Sequence, residues 1–260
     1  MTPRLDVDAL LLDIDGVLVT SWRALPGSVE TLAWLRAQEI PVRLITNTTT
    51  HTRQDLAATL ADAGFDVRAD EIMTAVVATA SYLRHHHPNA RAFVLSDGDG
   101  TGDLDGVDVV ATPEAADVMV VGGASDEFSY DIVNRIFRGI RDGAALVGMH
   151  RNLYWRTSEH WELDAGAYLA GLEAATGVTA VTCGKPAAAY FDAALSLMGV
   201  PAERALMVGD DIVNDIVGAQ AMGLTGVLVR TGKFTPASLE LGEPDHVIDS
   251  LGDLPASMRG

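Results

Sequence analysis

The stretch ALLLDIDGVL, residues 9–18, decides the predicted fold, because an apolar run ends abruptly in two carboxylates and a glycine. Residues Leu10–Leu12 show no polar alternation, which is typical of a strand covered on both faces, although periodicity alone does not exclude a buried helical turn. Asp13 and Asp15 follow at the carboxyl end of this strand, where open parallel sheets bind their ligands. We therefore interpret both aspartates as functional rather than structural residues. The alternative is an acidic turn that caps the next helix.

The closeness of Asp13 and Asp15 also predicts a cofactor. Two carboxylates beside a buried strand end repel each other, and a bound cation or a shared proton is the usual remedy. We therefore expect Mg²⁺ at this position.

The composition limits what the chain can bind. Its 260 residues include 36 acidic and 18 basic side chains, for a net charge of −18. That charge argues against nucleic acid or an anionic membrane as a partner. A small anionic substrate stays possible where positive charge is concentrated locally, and the two lysines, Lys185 and Lys233, are candidates for that role.

Two further features predict a cytoplasmic protein. Cys183 is the only cysteine, which excludes an internal disulfide and suits a reducing compartment. The first apolar run is only four residues long and is flanked by aspartates, so we expect no signal peptide, and no run approaches the length of a membrane span.

Alternating apolar strands and amphipathic helices predict an α/β fold, with a doubly wound parallel sheet as the core and a smaller α/β domain inserted into it. The middle of the chain forms its own βαβ-like pattern, so we expect core segments at 1–76 and 179–260 and the inserted domain at 77–178. The predicted core strands are 10–12, 42–45, 178–181, 205–208 and 226–229, and those of the insert are 91–95, 107–110, 118–121 and 145–147.

Two more predicted strand ends hold polar side chains. The run Thr46–Thr50 follows the second strand and offers a row of hydroxyl groups, although it could equally cap the next helix. Lys185 lies between Gly184 and Pro186, a rigid setting that would hold one cationic side chain near a strand end. The alternative for this residue is an ordinary surface lysine.

A cluster of aspartates, Asp210, Asp211 and Asp215, opens a helix after another apolar strand. Capping of the helix N-terminus explains one of these residues but not three. Together the four strand ends supply a carboxylate nucleophile, donors and a cation for phosphoryl oxygens, and carboxylates for Mg²⁺. The set therefore indicates phosphoryl transfer.

The same residues resemble the motifs of the haloacid dehalogenase (HAD) superfamily of phosphatases: Asp-x-Asp-Gly, Ser/Thr, Lys and Gly-Asp-x-x-x-x-Asp, in this order on a doubly wound sheet. Here they stand at Asp13–Val17, Thr46-Asn47, Lys185 and Gly209–Asp215. Each motif alone is weak, but the ordered set is specific, and the resemblance covers essentially the whole chain. It implies a Rossmann-like core with a cap domain.

The resemblance also implies a role for each matching residue. Asp13 would attack phosphorus and form an aspartyl-phosphate, while Asp15 would protonate the leaving group and later activate water. Aspartate at position 15 indicates phosphate esters or anhydrides rather than dehalogenation, because only an oxygen leaving group needs an acid. Phosphoryl binding is implied for Thr46, Asn47, Thr48 and Lys185. Mg²⁺ binding is implied for Asp13, Asp210 and the carbonyl of Asp15. Asp211 and Asp215 would support the metal directly or through water.

Motif spacing locates the cap. Asp15 and Thr46 leave room for one helix, whereas more than a hundred residues separate Asn47 from Lys185. The cap is therefore a second insertion, as in the branch that includes bacterial nucleotide phosphatases and 4-nitrophenyl phosphatases. Residues 209–213 and 229–234 are most similar to the phospholysine phosphohistidine inorganic pyrophosphate phosphatases, in which serine often replaces Asp15, so this likeness indicates ancestry better than substrate.

Residues 149–161 of the expected cap include two arginines, two histidines and two of the four tryptophans. Such a mixture suits an anionic, partly flat ligand. The alternative is that the tryptophans pack inside the cap or at a homodimer contact. By resemblance, the segment before the helix expected near Asp164 lies over the active site. The residues predicted to select the substrate are Arg151, Arg156, Asp164 and Gly166.

The segment Asp97–Asp108 imitates a calcium-binding loop in its acidic and glycine spacing. A predicted strand precedes it, whereas a helix precedes the loop of an EF-hand. We therefore expect an ordinary glycine-rich turn.

Three functions remain open at this point. The leading hypothesis is a Mg²⁺-dependent phosphatase acting on small phosphorylated molecules. The alternatives are a regulatory protein that binds a phosphate ligand in the same pocket, and a phosphotransferase or phosphomutase that keeps water from the aspartyl-phosphate. The presence of Asp13, Asp15, Lys185 and Asp210 together favours catalysis.

Overall fold

The computed structural model describes residues 7–156 and 160–259, apart from the side chains of residues 155, 156, 161 and 259. The strands, in chain order, are β1 (Ala9–Asp13), β2 (Val19–Thr20), β3 (Arg23–Ala24), β4 (Val42–Thr46), β5 (Ile72–Thr74), β6 (Arg91–Leu95), β7 (Asp108–Val110), β8 (Val118–Val121), β9 (Ala145–Gly148), β10 (Tyr154–Arg156), β11 (Trp161–Leu163), β12 (Val181–Thr182), β13 (Ala205–Gly209), β14 (Thr225–Val229) and β15 (His246–Ile248).

The α-helices are α1 (Ser28–Ala37), α2 (Arg53–Asp62), α3 (Ala75–His86), α4 (Tyr130–Arg141), α5 (Ala165–Thr176), α6 (Ala188–Ser196), α7 (Gly218–Gln220) and α8 (Leu254–Arg259). A π-helix, Ile212–Val217, runs directly into α7. Within the described residues, no helix is both long enough and apolar enough to cross a membrane.

The chain forms two compact units. The first consists of Met1–Thr46, Arg53–Met73 and Lys185–Gly260, and the second of Asn47–Thr52 and Thr74–Gly184. The insert predicted at 77–178 falls inside the second unit. That unit also includes 47–52, 74–76 and 179–184, which we had assigned to the core.

The first unit is built on a six-stranded sheet with the order β15-β14-β13-β1-β4-β5. β1 pairs in parallel with both β13 and β4, and β14 and β15 continue the parallel pairing. The chain fills one side of β1 and then returns to the other, so the strand order reverses between β1 and β13. A doubly wound sheet places its ligand crevice at this reversal, outside the carboxyl ends of the strands. The predicted fold class is confirmed.

Burial on both faces explains the unbroken apolar run of β1. Leu10, Leu11 and Leu12 are all fully buried, and Leu10 and Leu12 share a core cluster with Leu32 and Leu35 of α1. Full burial of a leucine side chain contributes about 1.5–3 kcal/mol relative to exposure. The central place of β1 is thereby strongly favoured, and it fixes the position of the aspartate that ends the strand.

The second unit has its own parallel sheet, with the order β12-β9-β8-β6-β7. Counted from the first of these strands, the order is 2-1-3-4-5, which is the other common doubly wound arrangement. Its core includes Met119 and Val121 of β8 and Ile136 and Ile140 of α4. The insert is therefore an α/β domain, as predicted.

Two strand predictions were wrong. The run 178–181 was expected in the core sheet, but β12 pairs with β9 in the second unit, Val181 opposite Val147. Val181 is 41% exposed, and such a short edge strand lacks the buried pattern that would identify its sheet. The predicted core strands do not include residues 72–74, but these residues form β5, and Thr74 then caps α3 by accepting a hydrogen bond from the main chain of Val77.

The calcium-like segment contains a short 3₁₀-helix, Asp99–Asp103. A Cβ atom added at Gly98 would lie 2.3 Å from the carbonyl oxygen of Thr50, and one added at Gly100 would lie 1.9 Å from that of Thr49. The glycines are therefore needed because two main-chain segments of the second unit approach each other closely.

Candidate active site

A buried lysine joins two aspartates in the first unit. The ammonium of Lys185 donates hydrogen bonds to Oδ1 of Asp13 at 2.7 Å and to Oδ1 of Asp215 at 2.6 Å. Asp13 is 7% exposed, Lys185 3% and Asp215 0%. Removing one member of a buried ion pair leaves the other charge uncompensated, so these three side chains depend on one another.

Asp210 adds a third carboxylate at the end of β13, beside β1. Its Oδ2 accepts a hydrogen bond from the main-chain nitrogen of Lys233 at 2.7 Å. Its Oδ1 is buried and has no hydrogen-bond partner within the part of the chain that the structure describes. Asp13, Asp210 and Asp215 each place one carboxylate oxygen within 4.8 Å of the other two.

The protonation of these groups reflects their crowding. Burial opposes the charged form of Lys185, but the carboxylates of Asp13 and Asp215 outweigh it and raise the pKa of the ammonium, which stays protonated. Burial, reinforced by the charges of Asp13 and Asp215, raises the pKa of Asp210 well above its ordinary value. Burial likewise raises the pKa of Asp215 to about 6, although Lys185 opposes this shift.

The donor set fits a divalent cation. In the ionised forms that bind a metal, the three carboxylates and one ammonium would carry two net negative charges in a buried place, and an ion of charge +2 would neutralise them. All the donor atoms are oxygens, which Mg²⁺ and other hard cations prefer. Oδ1 of Asp210 has no hydrogen-bond partner among the described residues, and such an ion would satisfy it.

Asp211 comes directly before the π-helix, whereas Asp215 lies within it. Oδ1 of Asp211 accepts hydrogen bonds from the main-chain nitrogens of Val213 and Asn214, at 3.1 and 3.0 Å. Asp211 is therefore the helix cap that we considered for one aspartate of this cluster. Asp215 instead faces Lys185, and a Cβ atom added at Gly209 would lie 2.2 Å from the Cβ atom of Asp215.

Asp15 differs from Asp13 in its accessibility to solvent. The surrounding protein nevertheless removes enough hydration to raise the pKa of the Asp15 carboxyl, against the lowering effect of the charges of Lys233 and Lys185. The two aspartates of the first motif therefore occupy different environments, one buried on a lysine and one facing solvent.

Thr46 is held by a residue that we did not predict. Thr46 follows Ile45, the residue of β4 that pairs with Asp13. The hydroxyl of Tyr190, on α6, accepts a hydrogen bond from the Thr46 main-chain nitrogen at 3.1 Å and lies 2.7 Å from the carbonyl oxygen of Met73. A buried tyrosine needs a polar partner, but the sequence does not show which one. Asn47 and Thr48 belong to the second unit, and their binding roles stay predictions.

The residues predicted to select the substrate have structural partners inside the second unit. Arg151 forms a bidentate ion pair with Glu173 of α5, at 3.0 and 2.6 Å. Asp164 caps α5, accepting from the main-chain nitrogen of Ala165 at 2.7 Å. Gly166 packs against the 151–152 main chain, where an added Cβ atom would lie 2.3 Å from the Arg151 carbonyl oxygen. The side chain of Arg156 lies outside the described residues.

Comparisons with known proteins agree with this fold. A family model described as haloacid dehalogenase-like hydrolase matches residues 10–110, and a HAD-hydrolase-like model matches residues 182–254. The chain belongs to the HAD-like hydrolases, and the resemblance drawn from its four motifs is confirmed.

Individual relatives span nearly the whole chain. The haloacid dehalogenase-like hydrolase domain-containing protein 2 of Bos taurus is 36% identical, over 91% of this chain and 89% of its own. The phospholysine phosphohistidine inorganic pyrophosphate phosphatase of Rattus norvegicus is 34% identical, over 95% and 92%. The solved structure of a p-nitrophenyl phosphatase from Archaeoglobus fulgidus superposes with a TM-score of 0.90 at 27% identity, covering 96% of this chain and 99% of that one.

Proposed function

We propose that this protein is a Mg²⁺-dependent phosphatase that hydrolyses small phosphate monoesters or anhydrides through an aspartyl-phosphate on Asp13. The observation that supports it most is the buried group of Asp13, Lys185, Asp210 and Asp215 at the switch point of the first sheet. Two of the similar proteins are phosphatases by name, which agrees with the proposal at the level of class.

The proposed reaction has two steps. A carboxylate oxygen of Asp13 bonds to phosphorus while the bond from phosphorus to the leaving oxygen breaks, and Asp15 gives its proton to that oxygen. Asp15 then takes a proton from a water molecule, whose oxygen bonds to phosphorus. The acyl-phosphate bond breaks, which releases inorganic phosphate and restores the Asp13 carboxylate.

Lys185 has an electrostatic role in this proposal. Its ammonium, already fixed on Asp13, offsets the negative charge that gathers as the phosphoryl group approaches a carboxylate. Because the lysine is buried, this interaction is screened less than at the surface. The hydroxyl of Thr46 and the following residues Asn47 and Thr48 are proposed to bind phosphoryl oxygens.

The proposed metal ligands are Asp13, Asp210 and the main-chain carbonyl of Asp15. Bound Mg²⁺ supplies positive charge that neutralises phosphoryl oxygens and helps to orient them. Asp215 supports the site through Lys185 and through its closeness to Asp13 and Asp210. Asp211 acts at a greater remove, since its oxygens hold the start of the π-helix and the ammonium of Lys233, at 3.2 Å.

The protein's single thiol fits the cytoplasmic location that we propose. Cys183 is buried, and burial raises the pKa of its thiol to about 12. A thiol of this kind is mostly protonated and unreactive at neutral pH.

Release of inorganic phosphate from 4-nitrophenyl phosphate, with Mg²⁺ and with EDTA, tests the proposal. Release that requires Mg²⁺ is the expected result. Phosphate binding without release would favour the regulatory protein. Release that depends on an added alcohol, with the phosphoryl group recovered on that alcohol, would favour a phosphotransferase. A panel of phosphorylated metabolites that includes pyrophosphate then separates monoesters from anhydrides as substrates.

A further inference from the structure

The two oxygens of the Asp210 carboxylate have unequal environments. Oδ2 accepts the main-chain hydrogen bond of Lys233, whereas Oδ1 has no hydrogen-bond partner within the described residues. The residue is only 2% exposed. A buried polar atom without a partner is costly, so its orientation must be enforced by the surrounding structure.

Two glycines enclose the hydrogen-bonded oxygen. A Cβ atom added at Gly16 would lie 2.0 Å from Oδ2 of Asp210, and one added at Gly232 would lie 1.9 Å from the same oxygen. Both glycines have positive φ, +83° and +59°. The main chain at these two places therefore forms a cradle that only the absence of side chains leaves open for the carboxylate.

The loop that contains Gly232 is tied down at both ends. The hydroxyl of Thr231 donates a hydrogen bond to the carbonyl oxygen of Gly16, and the ammonium of Lys233 lies 3.2 Å from Oδ2 of Asp211. This loop follows β14, the neighbour of β13 in the sheet. It therefore links the segment after β1 to the segment after β13.

We propose that Thr231-Gly232-Lys233 is a positioning loop for the divalent ion of this site. It fixes Oδ2 of Asp210 and so keeps Oδ1 available as a metal ligand beside Asp13. The inference rests on the proposed function and deepens it. A ligand whose orientation is locked beforehand needs less ordering when the ion binds, which is why partners of metal ligands affect metal affinity strongly.

Another glycine of the first unit separates this role from simple backbone strain. Gly199 has a φ of +66°, close to that of Gly232, but an added Cβ atom there would meet no atom of the described residues within 4 Å. Alanine at either position suffers a similar backbone penalty. Alanine at Gly232 alone would also displace the Asp210 carboxylate.

The test measures the affinity of the full chain for Mn²⁺ alone, by electron paramagnetic resonance of the free ion and without substrate. We expect Gly232→Ala to bind Mn²⁺ about 10- to 100-fold more weakly than the wild type, with Gly199→Ala unchanged. In turnover, the Mg²⁺ concentration for half-maximal activity should rise in Gly232→Ala, and excess Mg²⁺ should restore part of the rate. Equal Mn²⁺ affinities in the two alanine variants would overturn the positioning loop.

A second pair of variants decides the matter if Gly232→Ala does not fold. Thr231→Val removes the hydroxyl that anchors the loop to Gly16, whereas Thr231→Ser keeps it. We expect weaker Mn²⁺ binding in the valine variant and near wild-type binding in the serine variant, and unchanged binding in both would overturn the inference. Absence of Mn²⁺ binding by the wild type would instead overturn the proposed function itself.

Discussion

The two parallel sheets of this protein differ at equivalent places. In the six-stranded sheet the strand order reverses between β1 and β13, and Asp13 and Asp210 stand at the carboxyl ends of these strands. In the five-stranded sheet the order reverses between β6 and β8, which are followed by Ser96 and Gly122. A Cβ atom added at Gly122 would lie 2.4 Å from the Ser96 hydroxyl oxygen, so close packing fills this second position.

The difference shows that topology offers a place for a ligand and that side chains decide whether it becomes a site. At the first switch point, charged groups are buried at a cost that their mutual pairing offsets in part. At the second, small residues bring main-chain segments together, and Gly123 donates a hydrogen bond to the Thr49 hydroxyl at 3.0 Å. Stability and activity should therefore respond differently to changes at the two sheets.

The largest effect on activity is expected from Asp13→Asn. The amide has nearly the same shape but cannot serve as the nucleophile, so turnover should fall by roughly 10⁴-fold or more for every substrate. Release of inorganic phosphate measures the rate, and mass spectrometry after rapid quenching should detect the phosphorylated aspartate in the wild type and not in the variant.

The fold of Asp13→Asn should survive, because the variant removes a negative charge from a group with an excess of carboxylates. Circular dichroism and thermal unfolding supply this control. Wild-type rates in a well-folded Asp13→Asn protein would contradict the covalent mechanism.

The largest effect on stability is expected from Lys185→Met. Methionine fills a similar volume but leaves the carboxylates of Asp13 and Asp215 buried without their cation, which should cost about 3–5 kcal/mol at pH 7.5. Urea unfolding of the metal-free protein measures the loss. The double variant Lys185→Met with Asp215→Asn also removes one of the two buried negative charges that have lost their cation. It should recover part of the lost free energy of unfolding. A loss below about 1 kcal/mol in Lys185→Met, the value typical of exposed pairs, would show that burial does not set this interaction apart.

Addition of Mg²⁺ should have an intermediate effect. An ion that binds only the folded protein stabilises it by about 2.7 kcal/mol at 100 times its dissociation constant.

The stabilisation by Mg²⁺ should be larger at pH 7.5 than at pH 5. The pKa of Asp215 is raised to about 6 in the folded protein from an ordinary 3.8, so the stability contributed by its protonated form is complete below 3.8 and is lost as the pH rises through about 6. Deprotonated Asp215 adds a negative charge close to Asp13 and Asp210, and this charge favours the binding of a cation.

Differential scanning calorimetry with Mg²⁺ and with EDTA at the two pH values measures this effect. The variant Asp210→Asn is the control, since it removes a proposed ligand and should lose most of the response. Identical unfolding temperatures of the wild type with and without Mg²⁺ at pH 7.5 would contradict the proposal that the first switch point binds a divalent ion.

The charged residues of the first switch point could be predicted from the sequence, whereas the residues that hold them in place could not. The reason is that the sequence signal for the charged residues is local. An apolar run that ends in aspartates, as at Asp13 and Asp210, is visible within ten residues. Tyr190 fixes the main chain of Thr46, and Gly232 makes room for Asp210. Each of these residues is far in the chain from the segment on which it acts. Their functions depend on main-chain contacts, which no local pattern encodes, and the two-residue strand β12 was placed in the wrong sheet for the same reason.

The smallest effect is expected from the ion pair of Arg151 and Glu173 in the second unit. The side chains are 39% and 18% exposed, so the pair should contribute only about 0.2–1 kcal/mol. Glu173 also accepts a hydrogen bond from the main-chain nitrogen of Ala180 at 2.8 Å, and Glu173→Gln keeps an oxygen for that bond while it removes the charge. Arg151→Ala and Glu173→Gln should therefore destabilise the protein to a similar, small extent in urea.

Their kinetic effects distinguish a structural arginine from one that selects the substrate. If Arg151 selects the leaving group, as the aromatic and cationic segment 149–161 predicts, Arg151→Ala should change kcat/KM by different factors across a panel of phosphate esters. Glu173→Gln keeps the arginine and should leave the relative values nearly unchanged. The same comparison applies to Arg156→Ala. Uniform changes in all three variants would show that this segment only stabilises the second unit, and substrate selection would then have to come from other residues.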